Sequence, residues 1–174
     1  VGKAGKPSGL HRWVGGLVLW GGMEGGGVRA LTGVRAAGGA ALVEAVTEGN
    51  DEISRWPEVE TRATAIRIGN PVNAPKALPG VHNTGGTAVA VSDNEITAAQ
   101  AHLATEGVGV EPASAASLAG LKKLRRQGRV DDDELVVCLT TGHLLKDPEA
   151  AYKAGGDPEP VPNDADAIHE QISE

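Results

Sequence analysis

Thr64-Ala65-Ile66-Arg67-Ile68-Gly69-Asn70-Pro71-Val72-Asn73 is the stretch on which the reading of this chain turns. Ile66 and Ile68 alternate with Arg67, then Gly69-Asn70-Pro71 stops any regular element. Local pattern alone gives an ordinary strand-to-turn junction. Two later stretches repeat the arrangement: Val110-Glu111-Pro112-Ala113-Ser114-Ala115-Ala116 and Thr140-Thr141-Gly142-His143-Leu144-Leu145-Lys146-Asp147-Pro148. In each, an apolar run breaks into small, polar, Gly- or Pro-containing residues. A rigid scaffold followed by backbone free to approach closely is how a fold delivers a loop to a ligand.

Between these stretches the pattern alternates strand with helix. Ala30 to Val34 reads as a short buried strand and Gly38 to Val46 as a helix with small residues on its inner turn. Pro75 to Gly80 opens a helical segment that Pro79 should break. Thr87 to Val91 is a strand, and Ser92-Asp93-Asn94-Glu95 is a capping box for a helix with Ile96, Ala99 and Leu103 on one face, stopping at Gly107. Val108-Gly109-Val110 is a short strand leading into Glu111, and Ala113 to Gln127 a helix whose inner face is Ser117, Leu118, Leu121 and Leu124. Lys122, Lys123, Arg125 and Arg126 read as a solvated helix end that complements the dipole. Glu134 to Leu139 is a buried-pattern strand with Cys138 as a small core residue. Alternating strands and helices imply an α/β fold: a three-layer parallel sheet with helices on both faces.

Composition narrows the function classes. A chain of 174 residues is one domain, or one and a tail. Net charge of −7 argues against a nucleic-acid partner. With no Phe, one Tyr and three Trp, the core must be built from Ala, Val and Leu, and 25 glycines raise the entropic cost of folding. One cysteine excludes an internal disulfide, no apolar run is long enough to cross a membrane, and the opening residues do not form a signal peptide. A cytoplasmic protein is the expectation. The acidic turn Asp131-Asp132-Asp133-Glu134 lacks a spaced oxygen-ligand loop, so no metal site is assigned.

The three turn stretches, in this order, resemble the threonine synthases, pyridoxal-phosphate (PLP) enzymes of the tryptophan synthase β-like family. The resemblance runs from about Leu31 to Pro148 and implies a partial tryptophan synthase β-like fold, the second half of such an enzyme. It divides the chain into residues 1–29, a degenerate phosphate loop and helix region; 30–154, a PLP-enzyme-like α/β domain; and 155–174, an acidic flexible tail with one short helix near Ile168. Gly2-Lys3-Ala4-Gly5-Lys6 stands where the family has Gly-Asn-Ala-Gly-Asn at a helix N-terminus, a phosphate cradle. Lysines replace both asparagines; they attract phosphate as point charges but offer no amide acceptor. The following Leu10 to Trp20 is a helix in the family, diluted here by Gly15 and Gly16.

The resemblance further implies that Ile68 and Gly69 lie against the cofactor ring, with Glu111 beside it. Thr141 is expected to present a neutral hydroxyl to the pyridine nitrogen. His143 is read as an anchor of its loop rather than a catalyst. The family reaction converts O-phospho-L-homoserine and water to L-threonine and phosphate. Its Schiff-base lysine belongs to the first half; neither Lys76 nor Lys146 is expected to replace it. The expectations are therefore a PLP-binding portion that meets its phosphoamino acid only when completed by an N-terminal half, with self-association of the exposed apolar surface. The alternatives are a non-catalytic α/β interaction module, or a fragment with an unrelated activity.

Overall fold

Ala30–Ala36 (β2) is buried along its whole length, and the rest of the fold is stacked on it. The structure, a computed structural model, describes residues 16–21, 30–155 and 160–173. β2 lies in a four-stranded sheet with Gly16–Gly21 (β1), Thr87–Val91 (β3) and Leu135–Leu139 (β4), in the order β3-β2-β1-β4. β2 and β3 pair in parallel, from Thr32 opposite Thr87 to Ala36 opposite Val91. β1 is antiparallel to both β2 and β4, so β2, β3 and β4 point the same way. The parallel sheet expected from the sequence survives as this shared direction, with β1 entering in the opposite sense.

Period-2 alternation along the strands builds the other two layers. Val34, Ala36, Val89 and Val91 pack against Ile96 and Ala99 of Asp93–Thr105 (α3) and Ala115, Ala116 and Ala119 of Pro112–Arg126 (α4). On the opposite face, Ala88 meets Leu42 and Ala45 of Ala41–Glu48 (α1) and Ala77 and Leu78 of Ala74–Asn83 (α2). Leu31 joins Val81 on that same face. Helices thus cover both faces, as the alternation predicts.

Several elements differ from expectation. The helix expected over Leu10 to Trp20 is, where described, strand β1. Leu-Val-Leu-Trp between glycines favours a strand, and each glycine costs a helix about 1 kcal/mol. Thr64–Ile66 is a 3-10 turn, not a strand, because Ile66 is drawn into the core instead of pairing with a neighbour. Val108 to Val110 contributes only a single bridge, Val110 with His143. α2 runs through Pro79, which lies exposed near the helix start, where one backbone bond is lost. α4 buries Ser117 and Leu124 as read, but Ala113 to Ala116, Ala119 and Gly120 make most of its contact face. A Cβ at Gly120 would meet Val34 Cγ2 at 2.5 Å, so this glycine sets how closely α4 approaches β2. β4 is more open than its apolar pattern suggests, with Leu135 62% and Val137 47% exposed.

The capping box is as read. Glu95 N donates to Ser92 Oγ at 3.2 Å, and Ser92 N donates to Glu95 Oε2 at 2.9 Å. The basic end of α4 is less solvated than expected. Arg126 pairs with Glu95 at 2.6 Å, and Lys123 Nζ donates to Ala90 O at 2.7 Å. After β4 come a 3-10 turn at Leu144–Lys146, then Pro148–Gly155 (α5). Ala165–Ser173 (α6) contains Ile168, where a short helix is expected, and Asp164 Oδ1 caps it by accepting from Asp166 N and Ala167 N.

Candidate functional site

The shared direction of β2, β3 and β4 brings their carboxyl ends to one edge of the sheet, the edge where α/β folds place ligands. Each strand end is tied to a turn. At the end of β2, Arg35 is 4% exposed and turns its guanidinium along the edge. Its Nε donates to Gly39 O at 3.1 Å and its second terminal nitrogen to Ile68 O at 2.7 Å. Burial pulls its pKa below the ordinary guanidinium value. Gly69 O accepts from Trp56 N at 2.8 Å, and a Cβ on Gly69 would meet Trp56 O at 2.4 Å. Past β3, Asp93 holds the same loop: Thr61 Oγ1 donates to it at 2.6 Å and Arg62 N at 3.0 Å.

At the end of β4, the other two turn stretches form one joint. Glu111 N donates to Gly142 O at 3.0 Å, and Gly142 N donates to the buried Ser114 Oγ at 2.8 Å. Leu144 N donates to Gly109 O at 3.3 Å. Glu111 is 6% exposed at the start of α4, and its carboxylate lies under Gly142, where an added Cβ would fall 1.8 Å from Oε1. Lys146 Nζ reaches the same oxygen at 3.1 Å. His143 Nδ1 accepts from Leu145 N at 3.2 Å, capping the 3-10 turn. Thr141 is exposed at the crest of the joint, and its hydroxyl makes no hydrogen bond among the described residues.

Of the residues expected at a site, Gly2, Lys3, Ala4, Gly5 and Lys6 lie outside the described residues. Glu111 and Thr141 are brought together in the joint after β4. Ile68 and Gly69 are fixed to the end of β2, and Ile66 shares a core cluster with Ala113 and Ala115 of α4. A cleft of about 450 Å3 opens between the 61–67 segment, α3, Pro112 and α5; it carries Arg67, Gln100, Asp147 and Lys153, and none of the expected site residues lines it. Sequence reasoning missed Arg35, Ser114 and Asp93. An arginine inside the apolar run Thr32 to Ala36 was the available signal for the first. The other two are short polar residues at helix starts, where capping is the default reading. No cluster of metal-ligating side chains occurs among the described residues.

A sheet edge with small-residue turns at the ends of co-directed strands, and a free hydroxyl among them, belongs to a recognisable class. The chain is a member of the pyridoxal-phosphate dependent enzyme family, whose model matches residues 1–142. The match takes in the first residues as well, extending the resemblance beyond Leu31. Among named proteins, it is 53% identical over 143 residues to threonine synthase of Methanosarcina acetivorans, covering 82% of this chain and 35% of that protein. To threonine synthase of Methanocaldococcus jannaschii it is 50% identical over 145 residues, covering 83% and 36%. It superposes on the crystal structure of a threonine deaminase from T.th. with a TM-score of 0.47 at 23% identity, covering 57% of this chain and 35% of that one. The chain thus spans just over a third of the length of the curated relatives it matches.

The family's cofactor is pyridoxal phosphate. The residues after β4 fit it. A neutral hydroxyl without a partner stands at the strand end, and Gly142 beneath it leaves no room for a side chain. A hydroxyl beside the ring nitrogen suits an unprotonated pyridine.

Proposed function

We propose that this chain is the cofactor-facing portion of a threonine synthase-type enzyme. The whole protein converts O-phospho-L-homoserine and water to L-threonine and phosphate. Its Schiff-base lysine comes from N-terminal sequence additional to these 174 residues, in the same polypeptide or in a second one. The observation that carries the reading is the joint after β4, in which Glu111, Ser114 and Gly142 bond to one another and leave the Thr141 hydroxyl free.

Within that reading the residues divide the work. Thr141 hydrogen-bonds the ring nitrogen and orients the ring. The backbone at Ile68 and Gly69, held by Arg35 and Trp56, forms a wall that excludes water from the ring. Glu111 and Lys146 keep the Thr141 turn in position rather than touching the cofactor. Gly2 to Lys6 hold the phosphate, with Lys3 and Lys6 as charges. When bound, pyridoxal phosphate supplies a sink for carbanion charge. The open apolar face of β4 favours a second reading, a non-catalytic interaction module.

The test is to co-express the chain with the N-terminal portion of the Methanosarcina acetivorans relative and assay threonine and phosphate from O-phospho-L-homoserine. Threonine from the pair, with none from the chain alone, supports the proposal. A pair that co-purifies, holds the cofactor and makes no threonine overturns it in favour of the second reading.

A further inference from the structure

The two faces of β4 are unlike. Val136 and Cys138 point into the core cluster that includes α4. Leu135 and Val137 point to the opposite face, 62% and 47% exposed. On that face α1 and α2 lie over β2 and β3, and from β4 it is Leu139, at the carboxyl end, that reaches their layer. β4 is also a terminal strand of the sheet order, so its outer backbone edge is unpaired among the described residues. An edge strand with an open apolar face is a surface that soluble folds cover, because it templates pairing with another chain.

We infer that this face and edge of β4 are the docking surface for the part of a threonine synthase-like protein that this chain does not match. The inference rests on the proposed function and adds to it the surface at which the parts meet. The aligned relatives extend almost three times as far as the matched region, which covers 35% of the Methanosarcina acetivorans protein. That leaves ample chain to add a strand and a covering helix. The position also suits the chemistry: β4 runs directly from the open face into Thr140 and Thr141, so a segment docked along it ends beside the Thr141 hydroxyl. The incoming groups would reach that hydroxyl without disturbing the joint made by Glu111, Ser114 and Gly142. The occupant is therefore an α/β segment with an apolar face that extends the sheet at β4.

The experiment is co-purification after co-expression with the N-terminal portion of that relative, using a tag on the full 174-residue chain. Val137→Glu and, separately, Leu135→Glu put a charge on the open face. Ala98→Glu puts one on the exposed side of α3, beyond the other face of the sheet. The inference expects the wild-type chain and Ala98→Glu to retain the complement equally. Both β4 variants should retain at least about tenfold less, the usual cost of a charge placed in an apolar interface core. Circular dichroism of each variant checks that it folds; two separate exposed sites guard against loss of one. Equal retention by the β4 variants overturns the surface while leaving the proposed function standing. Failure of the wild-type chain itself to retain the complement overturns the proposed function and the inference with it. If the β4 variants instead abolish a homodimer of the chain alone and leave retention unchanged, the occupant is a second copy and the inference is wrong.

Discussion

Gly142 has no room for a side chain. Its Cβ would sit 1.8 Å from Glu111 Oε1, so Gly142→Ala must push the Glu111 carboxylate or the turn away. Overpacking of this kind costs about 1–3 kcal/mol, and urea unfolding should show a lowered midpoint with an unchanged slope. An unchanged midpoint would mean that the joint is looser than its bonds imply. Arg35 is a second residue whose removal should be felt. Its buried guanidinium bonds two backbone oxygens, and Arg35→Met should destabilise by about 2–3 kcal/mol in the same measurement. Cys138 shows the opposite of reactivity. Burial pushes its thiol up to about 11, against a hydrogen bond with Ser117 that lowers it. The thiol is then protonated at neutral pH, and alkylation should be slow in the native chain and fast in urea. Equal rates would place Cys138 outside the core.

The helices and strands owe their limits to local chemistry that is written in the sequence. Ser92 and Glu95 start α3 through reciprocal bonds, and Ser92→Ala should cost about 1 kcal/mol. Glu95 also gives this cap a pH dependence. Burial raises its pKa, but the bonds from Ser92 and the charges of Lys123 and Arg126 outweigh it, and the net value is below 4.5. A carboxylate with a depressed folded pKa adds stability above its unfolded value and loses it as pH falls through the folded one. Acid unfolding of the wild-type chain should therefore draw on Glu95 below about pH 4.5, and Glu95→Gln should flatten that limb of the curve. A limb of unchanged steepness would contradict this. Capping, period-2 strands and glycine stops were legible from neighbouring residues, which is why α3, α4, β3 and β4 fall within a residue or two of expectation. The 3-10 turn at Thr64–Ile66 and strand β1 were not, because each is decided by distant partners: the α4 core for Ile66, and β2 and β4 for β1. The candidate site divided the same way. Motif chemistry pointed to Thr141 and Gly69, whereas Arg35 acquires its role only when the chain folds Ile68 back onto the end of β2.

For the molecule as a whole, the sheet edge carries a site that is half built. β2, β3 and β4 bring three turns to one edge, the Thr141 hydroxyl stands free, and β4 leaves an apolar face open beside it. Relatives of nearly three times the matched length belong to the same cofactor family. The account holds that the hydroxyl meets the pyridine nitrogen once the remaining chain is in place. The most direct measurement is a fluorescence titration of pyridoxal phosphate into the co-purified pair, comparing the wild-type chain with Thr141→Ala and Thr141→Ser. Thr141 is exposed and unbonded, so neither substitution should shift the unfolding midpoint. The account predicts cofactor affinity about five- to tenfold weaker for Thr141→Ala, the value of one hydrogen bond, and near wild type for Thr141→Ser. Equal affinity in all three pairs would contradict it.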